Sequence, residues 1–458
     1  MTEARWIGIA LLIWCVGLSA VWRYALPKDP HGGIRMIDFG EIYYGAQCVL
    51  QHKDPYNPGT VLREFQSEDG KLPAGSHAAK LASLVTTNIV NLPTALFLSV
   101  PFALLPWSVT QTLWTVLMAG FLALAAILLW DLGAGAVPAI WICMAGFILA
   151  NSENLFFLGN VAGIAVSFSI IAAWCFLRQR YVLAGVLLMA IGLLFKPHDG
   201  GFIWLYFILA GGTLRKRALQ TLLVTGVLGL AAVVWISQSS PHWPQELHRN
   251  LALELVRGGV DDPGPYGSST RNVVPITDME AILSVFWDNP RFYNPASYLI
   301  VGSLLLAGAI VVTRRRFSPE QAPFALAVIS VLTLLPVYHR SYDAKLLLLT
   351  VPACAMLWSE RGPRRWVALV LTSAGILATS DIPLSIFLAA TRKLSPVSST
   401  LGGKLMTLML FRLAPLALVA LGCFYLWVFI RYSPPTTDSP HQDDALKKAA
   451  TATAAPLS

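Results

Sequence analysis

Residues 38–56 read DFGEIYYGAQCVLQHKDPY and follow the apolar run Trp6–Trp22. Phe39, Ile42, Tyr43, Ala46, Val49 and Leu50 recur at helical spacing on one face, and Asp38, Glu41 and Gln51 fall off that stripe. The pattern predicts an amphipathic helix at a membrane surface, its apolar face toward lipid or protein and its carboxylates toward water. Pro55 disfavours helical geometry at Asp54, so the helix is expected to end near Gln51–Asp54. By spacing alone, the two acids read equally well as functional groups or as ordinary solvated carboxylates.

Outward from this stretch the chain stays apolar. Of 458 residues, 55% are hydrophobic and 13% charged, with a mean hydropathy of +0.61. A soluble domain carries about 25% charged residues. Apolar runs of near-spanning length recur from end to end, so the fold class is an all-α polytopic membrane protein in a lipid bilayer. The net charge of +8 sits largely in short basic clusters between those runs, which points to membrane orientation and to no nucleic acid partner. Cys15, Cys143, Cys175, Cys354 and Cys423 lie in apolar runs and only Cys48 in an expected outer segment, so no disulfide framework is expected. Arg5 before an apolar stretch is reminiscent of a signal peptide. No small-x-small cleavage site precedes Asp38, and the run reads as a retained first helix.

Candidate spans are 6–24, 91–106, 109–130, 137–150, 161–177, 181–195, 201–211, 219–237, 296–313, 323–337, 344–358, 366–380 and 406–430. Basic residues at 178–180, 215–217, 314–316, 361–365 and 431 assign to the cytoplasm. Thirteen crossings from an inside start would put 178–180 outside. The simplest repair keeps the short segment 137–150 from crossing and returns it at Asn151–Asn160. That gives twelve crossings with both termini inside, and puts Asn151, Glu153, Asn154, Gly159 and Asn160 beside a wet cavity or in a plain polar loop. The outer face then collects the loops 25–90, 238–295 and 381–405 and the turns 196–199 and 338–343. Residues 1–431 form one membrane domain, and the Ser/Thr/Pro/Ala-rich tail 432–458 reads as disordered on the cytoplasmic side.

Polar groups fall on the expected outer ends of different helices: Asp38 with Glu41, Asn160, Lys196 with His198, and His339 with Arg340. Ionisable groups at the membrane edge are costly, and together these supply a base beside an anion-binding pocket. Lys196 reads either as a ligand contact or as a snorkelling anchor, and His339 and Arg340 either as site residues or as interfacial polar groups. Arg271, in the segment GPYGSSTRN, adds a donor suited to sugars or phosphates. The loop around it reads equally as an ordinary water-facing one. No HExxH, CxxC, GxSxG or Walker motif and no internal repeat is present, and the histidine spacing suggests no zinc site.

Read in order, Asp38-Phe39 with Tyr43-Tyr44, Asp54-Pro55-Tyr56, Asn91-Leu92-Pro93-Thr94 with Pro101 and Pro106, Gly159-Asn160, Ala184-Gly185 leading to Lys196-Pro197, and His339 with Tyr342 resemble glycosyltransferase family 87. The resemblance spans about residues 6–360. It implies a GT-C-like bundle of about twelve helices with its active site on the outer face. It implies a polyprenyl-phosphate sugar donor, a glycan or glycolipid acceptor, and an acid after the first helix as base, a role that falls on Asp38. Phosphate and acceptor contacts fall on Lys196 and His339, with Glu41, Tyr44, Asn160, His198, Arg271 and Arg340 as further substrate-binding candidates. The chain departs from the family pattern at Gly159-Asn160, where Gly-Gln is usual, and at His339-Arg340-Ser341-Tyr342, where a His-Tyr pair is usual.

The expected activity is therefore transfer of a hexose, mannose-like, from a lipid phosphate to a hydroxyl at the outer face of the inner (plasma) membrane. No cofactor and no obligatory metal is expected. The alternatives are a transporter or flippase for lipid-linked sugars, which calls for polar residues near the bilayer midplane and repeated halves, and a non-catalytic scaffold, which leaves Asp38 replaceable.

Overall fold

The structure, a computed structural model, describes residues 3–25, 36–68, 86–259, 261–265, 275–315, 317–391 and 400–432. Arg271 and the tail beyond Tyr432 lie outside them. The described residues are helical throughout, with a lone antiparallel bridge between Ile276 and Arg340 in place of any strand. In order, the helices are α1 (Glu3–Ala25), α2 (Ile37–Leu50), α3 (Pro58–Glu68), α4 (Pro93–Ala103), α5 (Trp107–Leu128), α6 (Pro138–Ala150), α7 (Glu153–Leu158), α8 (Ala162–Arg178), α9 (Val182–Phe195) and α10 (Pro197–Ala210). After these come α11 (Gly212–Ser239), α12 (Trp243–Glu254), α13 (Glu280–Phe286), α14 (Pro290–Arg314), α15 (Ala322–Thr333), a 3-10 stretch (Asp343–Leu349), α16 (Thr350–Ser359), α17 (Arg364–Ala378), α18 (Asp381–Thr391), α19 (Leu401–Phe411) and α20 (Leu413–Arg431). Proline opens α4, α6, α10 and α14 at a position where its missing N–H has no intrahelical partner to lose.

Five helical stretches are long and apolar enough to cross a membrane: 107–132, 138–158, 212–239, 290–314 and 413–431. A sixth is added if α17 and α18, bent by 70° at their junction, count as one span. The exposed faces of α11 and α14 carry Leu219, Leu222, Leu223, Val227, Leu230, Leu299 and Leu306, as lipid-facing helices do. By contrast, α8 is buried without interruption from Ala162 to Phe176. It is the centre of the bundle, and its small residues admit close neighbours: Gly192 of α9 faces Ala165, Phe168 and Ser169.

The basic ends of the helices gather at one end of the bundle. Arg315 donates to the carbonyls of Phe429, Ile430 and Tyr432, Arg364 and Arg431 sit over Trp427, and Arg365 over Trp358. The opposite end carries Asp38, Asn160, Lys196 and His339.

Two sequence expectations change here. The expected surface helix α2 is a core element. Its residues from Phe39 to Ala46 are all buried, Glu41 among them, and only Asp38 of its two carboxylates keeps partial exposure. Phe39 stacks on Trp107 and Trp114, and Tyr43 and Tyr44 pack on Trp107. The expected end of the helix holds, with Gln51 as its C-cap. An amphipathic stripe identifies the face that packs best, but the polar face also found protein partners.

The second change concerns parity. The segment 137–150 was expected not to cross. Instead α6 runs beside α1 and parallel to it: Gly8 faces Trp141 and Ile142, Gly146 faces Leu12 and Cys15, and Ser19 Oγ donates to Leu149 O at 2.7 Å. With α7 it makes an apolar stretch of 21 residues. Beside the site lies α4, only 11 residues and so about 16 Å long, which is shorter than a straight span needs. Its flanks are held there by Tyr56 Oη on Asn91 O (2.9 Å), Thr94 Oγ1 on Leu194 O (2.5 Å) and Tyr43 Oη on Leu105 O (2.8 Å). Run length in sequence did not separate the two, because both are short and interrupted by proline or polar turns.

Candidate active site

Asp38 stands in the first turn of α2, half-buried. The turn before it is fixed by Met36, in the left-handed region at φ 59°, whose N–H donates to Phe157 O at 2.8 Å. Gly159 must be glycine here. It has φ +66°, and a Cβ would lie 2.9 Å from Phe39 Cβ and 3.0 Å from Met36 Cβ. Its carbonyl accepts from Trp114 Nε1 at 2.9 Å. This close approach delivers Asn160, whose Nδ2 donates to Asp38 Oδ2 at 2.6 Å while its Oδ1 accepts from Ala162 N at 2.9 Å. The backbone donor fixes which end of the amide faces the acid. Burial pushes the Asp38 carboxyl up to about 6, against the Asn160 hydrogen bond and the Arg340 and Lys196 charges, which pull it down. A carboxylate so poised ionises just below neutral pH, where a general base serves best.

Lys196 lies between α9 and α10 and is buried. Its Nζ bonds directly to Asp343, lies 3.8 Å from Asp199 Oδ2, and sits 5.0 Å from the centre of the Tyr342 ring. It is a fully engaged buried cation, not an anchor reaching for the interface. His198 and His339 meet edge to face with ring centres 4.8 Å apart.

The turn 338–343 is strapped to the segment 275–279. Thr277 N donates to His339 O (2.9 Å), Ser341 N to Pro275 O (3.2 Å), and Met279 N to Leu335 O (2.9 Å). Asp343 Oδ2 accepts from Arg340 N at 2.8 Å. The Arg340 guanidinium pairs with Asp261 at 2.6 Å and contacts Tyr338, whose hydroxyl donates to the same Asp261 oxygen at 2.7 Å.

Asp38, Asn160, Lys196, His198, His339 and Arg340 thus share one end of the bundle, linked by contact or by charge. Two further sequence candidates make structural contacts. Glu41 accepts from Val90 N at 2.6 Å and Asn91 Nδ2 at 2.8 Å, so it ties α2 to the turn before α4. Tyr44 packs its ring in an aromatic cluster with Tyr43, Phe65 and Trp107. Asp199, Asp261, Asp343 and Tyr342 were not singled out as site residues. Asp199 and Asp343 share the short turns of Lys196 and His339, Tyr342 was part of the family resemblance, and Asp261 lies in the loop 238–295 with no signal of its own.

The polar residues 151–154, expected beside a cavity, are structural. Lys345 Nζ donates to Asn151 O at 2.5 Å, Asn154 N to Asp381 Oδ2 at 2.9 Å, and Ile382 N to Asn151 Oδ1 at 3.3 Å. They hold the bend between α17 and α18 against α7.

Residues 90–338, more than half of the chain, match the family model for glycosyltransferase family 87. The chain belongs to glycosyltransferase family 87. It is accordingly a glycosyltransferase, and its apolar helices make it a membrane one. The family 87 match takes in Asn160, Lys196, His198 and Asp199, ends just before His339 and Asp343, and begins well after Asp38. No curated protein and no solved structure matches the chain.

Proposed function

We propose that this family 87 enzyme transfers a hexose, mannose-like, from a polyprenyl-phosphate donor to a hydroxyl of a glycan or glycolipid, on the outer face of the inner (plasma) membrane. The observation that carries the reading is the Asp38 carboxylate, oriented by Asn160 and lying in the field of Lys196 and Arg340. Asp38 takes the proton from the acceptor hydroxyl as its oxygen attacks the anomeric carbon. The bond from that carbon to the phosphate oxygen breaks, and its electron pair leaves with the polyprenyl phosphate. Lys196 offsets the charge of that leaving group. A single displacement inverts the anomeric centre.

The face follows from the positive-inside bias: the end opposite the site is lined by Arg315, Arg364, Arg365 and Arg431. With α4 kept at the site end, α1, α5, α6, α8, α9, α10, α11, α14, α15, α16, α17 and α20 make twelve crossings in a GT-C-like bundle. Both termini then lie in the cytoplasm.

The experiment is transfer by the purified protein from a panel of polyprenyl-phosphate sugars, with the product's anomeric configuration read by NMR. Transfer with inversion that collapses in Asp38→Asn supports the reading. Undiminished turnover in a folded Asp38→Asn protein overturns it.

A further inference from the structure

Beside Lys196, three atoms that can each offer a lone pair point at one another. Ligand atoms of His198, Asp199 and His339, one from each, lie within 4.8 Å of one another. Asp199 Oδ1 is 3.4 Å from His339 Nε2 and 4.0 Å from His198 Nε2. Asp199 and His339 are 0% exposed. Neither Asp199 oxygen and neither Nε2 has a hydrogen-bond partner. A buried carboxylate with neither oxygen hydrogen-bonded, and only the Lys196 ammonium 3.8 Å from one of them, is costly.

The tautomer sharpens the point. His339 Nδ1 lies 2.9 Å from Val337 O. A carbonyl only accepts, so the ring proton belongs on Nδ1, and Nε2 faces the carboxylate as a lone pair. Two acceptors at that distance repel unless something positive lies between them. A second proton on His339 would settle one pair and leave His198 Nε2 unsatisfied. A metal ion settles all three at once.

We propose that His198, Asp199 and His339 form a binding site for a divalent transition ion of the Zn2+ class. Two imidazoles and a carboxylate are an ordinary ligand set for such an ion. Zinc bonds of 2.0–2.2 Å give a tetrahedral edge of about 3.4 Å. The His339–Asp199 separation already has that length, and the half-exposed His198 ring needs a small rotation to reach it. The Val337 carbonyl on Nδ1 is the outer-shell contact that metal-bound histidines commonly make. Three protein ligands leave a fourth position for an exogenous oxygen.

Lys196 opposes the ion from 3.8 Å on the other Asp199 oxygen, but it is itself neutralised by Asp343. Asp199, Asp343, Lys196 and a divalent ion sum to one positive charge, which matches the single negative charge of a phosphodiester. That match rests on the lipid-phosphate donor proposed above; the site itself does not. The histidine spacing suggested no zinc site, and spacing does not reveal ligands on separate turns; the expectation of no obligatory metal rested on a lipid-phosphate leaving group and concerns the reaction.

The test is metal binding by the full-length protein, stripped with chelator and re-equilibrated with Zn2+, Mn2+ or Mg2+, then read by elemental analysis. Co2+ absorption reports the geometry. Expected is one Zn2+ per chain, intense d–d bands with Co2+, and no retained Mg2+. His339→Ala and Asp199→Asn should each weaken Zn2+ binding by more than the 10–100-fold that losing an outer-shell contact costs. His198→Gln should weaken it as well. Asp38→Asn should bind normally, which separates this site from the transfer reaction. Size-exclusion profile and thermal unfolding identify variants that have lost their fold, and His198→Gln, the least buried ligand, serves if the other two do. Substoichiometric Zn2+ in the wild type, or full occupancy in folded His198→Gln or Asp199→Asn, overturns the proposal.

Discussion

Asp38 and Lys196 make opposite demands on a mutational test. Asp38→Asn keeps the acceptor that Asn160 needs but cannot take a proton, so turnover should fall by roughly 10²–10⁴-fold while donor binding and expression stay close to wild type. Burial holds the Asp38 carboxyl up at about 6, so wild-type turnover should fall as pH drops through that value. The residual rate of Asp38→Asn should lack that inflection. A pH profile of both proteins checks this, and an unchanged inflection in the variant would assign it elsewhere. Lys196→Met preserves stem length but removes a cation that partners two buried acids, Asp343 and Asp199. Stranding them should cost roughly 3–5 kcal/mol. Lys196→Met combined with Asp343→Asn should recover much of the yield and thermal stability without recovering transfer. Recovery of transfer in that double variant would reduce Lys196 to a structural cation.

At the scale of elements, α2 and its fastening to the turn 88–91 decide the outcome. Glu41 is the pin. Glu41→Ala would strand Val90 N and Asn91 Nδ2 and should cost about 1–3 kcal/mol. Burial raises the Glu41 carboxyl from 4.5 to about 8, so the folded protein holds a proton that the unfolded chain releases. Its contribution to stability is therefore full below pH 4.5, falls as pH rises and levels off above about 8. Glu41→Gln keeps the acceptor and should abolish that part of the pH dependence. Thermal unfolding of wild type, Ala and Gln variants across this range measures both effects. The sequence made α2 legible as a helix, with its stripe and its end. It did not show that Glu41 turns inward, because helical periodicity gives direction around an axis and not the partner on the other side. Asn160 was legible as a polar residue at a helix end, but its grip on Asp38 depends on the glycine before it. Asp199 and Asp343 were hidden for a related reason: an acid beside a lysine in sequence looks solvated until a second turn closes over it.

For the whole molecule, the expected topology is testable without any substrate. A reporter fused after Arg431 should be active only in the cytoplasm, and cysteines introduced near residues 91 and 242 should react with impermeant reagents from outside. An active external reporter at Arg431 would invert the bundle and place the site on the wrong face for this reaction. Cys48 is not a usable probe, since it is 0% exposed. All-helical class and membrane embedding were legible from composition alone. The different packing of α4 and α6 was not, because in sequence both are short apolar runs bounded by proline or polar turns.

The ion pair at Lys196 also has a history in time. Asp343 lies 147 residues downstream, so Lys196 is made and enters the membrane long before that partner exists. Asp199 is three residues away on the next helical turn and is available at once. During synthesis it is the acid at hand to shield the lysine in α9 and α10 while α11, α14 and α15 are still being inserted. Tyr338–Asp343 is made later and brings the carboxylate to which Lys196 Nζ bonds in the folded chain. No fragment ending before Asp343 therefore holds the pair that neutralises Lys196, and a buried lysine in such a fragment has only Asp199 beside it.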